Sequence, residues 1–208
     1  MKSFAELEKQ IKTCVACQLS EGRTNVVPGS GNPKAEIMFI GEGPGKNEDL
    51  QGEPFVGAAG KLLDEMLAQN NLQRKDVYIA NVVKCRPPGN RDPLPQEVDT
   101  CWPWLEKQIS IIQPKLIVLL GRHSLQRFLP KARITEHHGR ALRKEFPPFG
   151  KVVFFPCYHP AAALYNGGLK DTLFTDFAKI TKVVKIIKEE EEGKSSREKE
   201  ESRQSSLL

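Results

Sequence analysis

Ile37-Met38-Phe39-Ile40-Gly41-Glu42-Gly43-Pro44-Gly45 is an apolar run that breaks into a glycine-rich turn. The four apolar residues read as a buried strand. The glycines mark backbone that must bend sharply or come close to a ligand. Lys46-Asn47-Glu48-Asp49 and Pro54-Phe55-Val56-Gly57 follow, so two carboxylates, Glu42 and Glu48, flank the turn and Phe55 falls in a loop rather than in a periodic core segment. A strand that feeds such a turn, with a loop aromatic nearby, predicts a pocket for a small molecule or a base. The same turn alone is also an ordinary strand-to-helix connection.

Working outward, three further apolar runs read as strands, at residues 77–83, 116–120 and 152–155. Amphipathic helices separate them. Leu62, Leu63, Met66 and Leu67 form one face; Val98, Trp102, Leu105, Ile109 and Ile112 a second; Leu173, Phe177, Ile180, Val184 and Ile187 a third. A short helix over residues 3–12 opens the chain, and Gly121-Arg122-His123-Ser124 opens another after the third strand. Strands alternating with helices predict an α/β sandwich around a mostly parallel sheet. In such sheets ligands bind beyond the carboxyl ends of the strands. The Gly41–Gly45 turn, Asn81, Gly121-Arg122-His123 and His159 all fall at those ends, so the polar candidates converge on one edge.

The chain has 208 residues and a formal net charge of +5. From Lys188 to Leu208 it carries five Lys/Arg against seven Glu, a net of −2, which leaves +7 on the body. That surplus suits a polyanion such as nucleic acid. Residues 1–188 read as one domain. Residues 189–208, charged and serine-rich, are expected to be a disordered tail. Met1-Lys2-Ser3-Phe4-Ala5-Glu6 lacks the apolar core of a secretory signal, and no apolar run is long enough for a bilayer. A cytoplasmic protein of prokaryotic type is expected, one that touches no membrane.

Cys14-Val15-Ala16-Cys17 places two thiols within reach of one metal. With Cys85, at a strand end, and Cys101, on the helix that follows, they make a four-thiolate set. Zinc and an iron–sulfur cluster both remain open. Zinc sites usually use two close pairs; the wider spacing of Cys85 and Cys101 favours a cluster. Cys157, at an apolar strand end, reads as a core thiol.

Taken together, the C-x-x-C, Gly41-Glu42-Gly43-Pro44-Gly45 through Pro54-Phe55-Val56-Gly57-x-x-Gly60, Asn81 ahead of Cys85, Cys101 and His159-Pro160 resemble the family 4, iron–sulfur uracil-DNA glycosylases of archaea and bacteria. The resemblance runs from about Cys14 to Lys179. It implies a three-layer αβα sandwich with a central four-stranded, mostly parallel sheet, and a [4Fe-4S] cluster on Cys14, Cys17, Cys85 and Cys101. It implies hydrolysis of the N-glycosidic bond of deoxyuridine in single- or double-stranded DNA, by a monomer that leaves an abasic site and works beside a sliding clamp or an abasic-site endonuclease. It puts Phe55 against the flipped base, Asn81 on its O4 and N3–H edge, Gly41 and Gly43 along the base, and His159 on O2. Gly43 stands where better-known uracil glycosylases carry a water-positioning aspartate, which leaves Glu42 and Glu48 to serve the sugar; Glu48 is also a candidate to block the C5-methyl of thymine. The loop after His159, through Leu164 and Tyr165, is where relatives wedge the duplex. His123, His137 and His138 read as DNA-facing or surface residues, and Arg86, Arg91, Arg122, Arg140 and Arg143 as phosphate contacts or solvated charges.

Two rival readings follow from the same residues. One is a uracil-binding relative without turnover; the segment from Cys85 to Pro93 contains no histidine, which argues for turnover. The other is a zinc-bearing nucleotide-binding domain.

Overall fold

The computed structural model describes residues 3–205, with side chains to residue 193. The elements in order are α1 (Phe4–Lys12), α2 (Leu19–Gly22), β1 (Ser30–Gly31), β2 (Ile37–Gly41), α3 (Lys46–Gln51), α4 (Ala58–Gln69), β3 (Tyr78–Asn81), α5 (Pro95–Ile112), β4 (Leu116–Leu120), α6 (Arg122–Phe128), α7 (Ile134–His137), β5 (Leu142–Glu145), β6 (Lys151–Cys157), α8 (Pro160–Tyr165) and α9 (Gly168–Ser205). None of the described helices is long and apolar enough to cross a membrane.

The sheet has six strands in the order β1-β3-β2-β4-β6-β5. The four strands read from the sequence form its parallel centre: β2 pairs with β3 and β4, and β4 with β6. The expected four-stranded sheet is corrected by two antiparallel edges, β1 on β3 and β5 on β6. Neither edge carries a strand signal. β1 is Ser-Gly, and β5, Leu-Arg-Lys-Glu, is exposed beyond Leu142. Short, charged edges are what shields a sheet from pairing with other chains.

Along β2, successive side chains face opposite ways. Met38 and Ile40 pack with residues of α1, α5 and α6, while Ile37 and Phe39 pack with α4, α8 and α9. This is the three-layer αβα sandwich, with a core on each side of the sheet. The chain goes from β2 out to β3, then returns past β2 to β4. The order reverses there, and the carboxyl ends of β2 and β3 open a crevice.

α9 does not stop at residue 188, where the sequence reading ends it. It continues as helix to Ser205. Glu189 to Glu192 are good helix formers, and this stretch meets the body: Lys188 pairs with Glu36 at 2.7 Å, Lys115 with Glu191 at 2.6 Å, and Arg143 with Glu190.

Candidate active site and cysteine cradle

At the carboxyl edge of the sheet lies a cleft of about 290 Å³. β2 delivers Glu42 and Gly43 to it, β3 delivers Asn81, and β6 leads to His159. Glu48 comes from α3 and Phe55 from the loop before α4. Gly41 lies just behind the wall. A Cβ there would fall on Asn81 Oδ1 and within 2.8 Å of the Phe55 ring, so only glycine lets these two side chains meet over the strand end. A Cβ on Gly43 would stand 2.7 Å from Val83. Every pocket residue expected from the sequence is therefore at this edge.

Asn81 is 2% exposed, and its Oδ1 has no hydrogen-bond partner among the described residues. A buried polar atom without a partner costs about 1–3 kcal/mol. An orphan acceptor at the end of a strand and against a cleft is open to a hydrogen bond from whatever enters the cleft. The backbone carbonyl of Asn81 is anchored from behind by the buried Lys84, whose Nζ donates to it at 2.9 Å and to Gln108 Oε1 at 2.7 Å. Burial holds the Lys84 ammonium down to about 8.

Phe55 is 5% exposed and has φ 56. The left-handed region is rare for a bulky residue and costs roughly 1–3 kcal/mol, so its surroundings must hold it there. Glu48 does part of this. Its Oε1 accepts from Val56 N at 2.9 Å and Gly57 N at 3.0 Å. This carboxylate thus braces the loop that carries Phe55, a role the sequence does not reveal. Gly60 leaves room for the Phe55 carbonyl, where a Cβ would otherwise fall.

His159 caps α8, and its Nδ1 accepts from Ala161 N at 3.1 Å. With Nδ1 an acceptor, the neutral ring carries its proton on Nε2. Burial pushes the imidazole down to about 4, although the Glu48 carboxylate pulls the other way. The ring lies near-parallel to Phe55, with centroids 5.4 Å apart. His159 is therefore a neutral donor at ordinary pH.

Glu42 is half-buried at the mouth. Its carboxyl is raised above the ordinary range by burial, against the opposing pull of His123; Asp92 adds to the rise and Arg122 opposes it. His123 Nε2 lies 3.6 Å from Glu42 and 3.2 Å from Asp92. His123, read from the sequence as a DNA-facing or surface residue, is partly exposed and is placed by α6 beside the carboxylate of the cleft. Arg122 pairs with Asp92 at 2.5 Å, and Arg91 with Glu97 at 2.6 Å. Both arginines spend charge inside the protein. Arg143 is tied to α9, and His138 Nδ1 lies 2.7 Å from the buried Asp176. Asn90, Pro87, Ala59 and Ala161 also line the cleft and were missed. Asn90 has φ 57 and accepts from Arg86 Nε at 2.7 Å; the turn-forming dipeptide Gly89-Asn90 was the available signal. At the carboxyl end of α8, Tyr165 is 92% exposed and Leu164 50%.

On the far side of Lys84, Cys14, Cys17, Cys85 and Cys101 line one enclosure with Trp104 and Arg23. Three of the four sulfurs accept hydrogen bonds: Cys14 from Trp104 Nε1 at 3.2 Å, Cys85 from Arg23 Nη1 at 3.0 Å and Cys101 from the Lys84 N–H at 3.3 Å. N–H groups aimed at sulfur suit thiolates. Burial raises a free Cys101 thiol to about 11, so an anionic set here calls for a bound cation. No three of these sulfurs lie within 4.8 Å of one another, whereas thiolates on one zinc, at Zn–S of about 2.3 Å, stand about 3.8 Å apart. The cradle fits a group wider than a single ion. Cys157 is fully buried and apart from the set.

The sequence profile described as the Uracil DNA glycosylase superfamily matches residues 28–185. The chain belongs to this superfamily. It is 50% identical over 186 residues to a type-4 uracil-DNA glycosylase of Sulfurisphaera tokodaii, covering 86% of this chain and 84% of the relative. A type-4 uracil-DNA glycosylase of Archaeoglobus fulgidus is 49% identical, with 86% and 92% covered. A type-5 uracil-DNA glycosylase of Thermus thermophilus is 32% identical over 62% of each chain. Within the superfamily, the chain is thus a member of the type-4 family; the cleft residues and Cys85 and Cys101 fall inside the matched span, and Cys14 and Cys17 precede it.

Proposed function

We propose that the protein removes uracil from DNA by hydrolysing the N-glycosidic bond, releasing the free base and leaving an abasic site. The orphan Oδ1 of Asn81 carries this reading. Uracil offers N3–H beside O4, so one amide accepts from the first with Oδ1 and donates to the second with Nδ2. Cytosine reverses that order, so an amide held in the orientation that fits uracil would have both groups opposed. A base inside a duplex cannot reach the cleft, so it must be flipped out. Phe55 then stacks on it, at ~1–3 kcal/mol per base. Tyr165 or Leu164, exposed beside the α8 end, fills the gap left in the duplex.

As the bond breaks, negative charge grows on uracil O2. The Nε2–H of neutral His159 donates to it, strongest where the charge is greatest. The sugar becomes electron-poor, and the Glu42 carboxylate at the mouth faces it and orients the attacking water. Water supplies hydroxide to the sugar carbon and the proton ends on the departing base. Glu48 supports this geometry through the Phe55 loop.

Cys14, Cys17, Cys85 and Cys101 would hold a [4Fe-4S] cluster. When bound it supplies a covalent tie between the amino-terminal segment, the end of β3 and α5. None of the cleft residues is among its ligands.

Single-turnover cleavage of an oligonucleotide with one uracil tests the proposal. Wild type should give alkali-labile scission at the uracil, and Asn81→Ala and His159→Ala should each lose at least about 100-fold. Full activity in both variants would place the chemistry elsewhere, and no cleavage by wild type would favour a binding role.

A further inference from the structure

Arg74 lies outside the cleft, in the 3-10 turn ahead of β3, and the chemistry above does not use it. Its guanidinium nonetheless closes on the backbone of the stacking loop. Nη1 donates to Pro54 O at 2.9 Å and Nη2 donates to Phe55 O. Nε donates to Asp64 of α4 at 2.6 Å, with Nη2 3.4 Å from the same carboxylate. The planar fork of arginine can serve carbonyls on one edge and a carboxylate on the other; lysine cannot. Glu48 holds the Val56 and Gly57 N–H groups from the other direction. A cation thus grips the two carbonyls before the bend and an anion the two N–H groups after it. Phe55 sits between them in the left-handed region.

We infer that Arg74 is a positioning residue for base stacking: through the Pro54 and Phe55 carbonyls it fixes the backbone that lays the Phe55 ring across the cleft. The inference rests on the reading of the cleft as a uracil pocket. The Arg74 and Asp64 side chains are 30% and 49% exposed, and pairs this open add little to stability. The loss on replacing Arg74 should therefore fall on the base site rather than on the fold.

The test measures free-uracil binding, binding to DNA with a stable abasic-site analogue, and single-turnover cleavage. The proteins are wild type, Arg74→Met, Arg74→Lys, Phe55→Ala and the Arg74→Met/Phe55→Ala double variant. Arg74→Met should weaken uracil binding about fivefold, the low end of one lost stack, slow cleavage in proportion, and leave abasic-DNA binding within about twofold. Arg74→Lys should recover part of the loss. In the Phe55→Ala background, Arg74→Met should change uracil binding no further, as coupled residues require. Wild-type uracil binding by Arg74→Met, an equal loss in both backgrounds, or a parallel loss of abasic-DNA binding each overturns the inference. Should Arg74→Met not fold, Asp64→Asn loosens the same guanidinium: a smaller loss of uracil binding supports the inference, and none overturns it. If wild type neither binds uracil nor cleaves, the pocket reading falls and takes the inference with it. A cleaving wild type with an unaffected Arg74→Met overturns the inference alone.

Discussion

At the scale of single residues, the site works through protonation states set by burial. His159 stays neutral down to about pH 4, so it imposes no loss of rate near the ordinary histidine value of 6.5. The acid limb of the rate should instead follow Glu42, whose carboxyl is raised above the ordinary range, and Glu42→Gln should flatten that limb while lowering the plateau. Stability has its own sign. The folded His159 binds its proton more weakly than the unfolded chain does, so folding loses stability as pH falls from about 6.5 to about 4. Urea midpoints across that window should show a shallower slope in His159→Gln. Glu48 separates bracing from catalysis. Glu48→Gln keeps an oxygen for the Val56 and Gly57 N–H groups and should hold activity within about tenfold, whereas Glu48→Ala should lose far more, since it leaves two N–H donors unpaired. Single-turnover rates decide between the two. Asn81, Phe55 and His159 were legible in the sequence because motif spacing places each at a strand end or loop. Arg74, Asn90 and the partnership of His123 with Glu42 were not. They depend on which turns meet across the sheet, which no local pattern records.

At the scale of elements, periodicity gave the four central strands and the long helices, since burial of an alternating or helical face leaves its mark on sequence. β1, β5 and α3 left none, being short, polar or both. The loop between α3 and α4 is where backbone fit is tightest. A Cβ at Gly60 would land on the Phe55 carbonyl, with no flexible side chain to yield. Gly60→Ala should destabilise the fold by about 1–3 kcal/mol or more and lower uracil affinity with it. Urea denaturation and uracil binding measured on the same sample would check both, and an unperturbed variant would mean that the α4 start can slide.

At the scale of the whole molecule, the cysteine cradle joins the segment between α1 and α2 to β3 and α5. With the proposed cluster in the cradle, Cys85→Ala should lose iron and lower Tm together, measured by metal content and thermal melting, while any folded fraction keeps its affinity for free uracil. A stable apo-protein would show that packing alone holds the segment. The unfilled acceptor on Asn81 bears on more than recognition. A chain freed from meeting uracil would gain by filling that spot: Asn81→Leu should melt a few degrees higher while cleaving nothing. In a lineage that no longer met deaminated cytosine, drift at this position would be uphill in stability and silent in growth. Asparagine there carries a stability cost that only a bound base offsets.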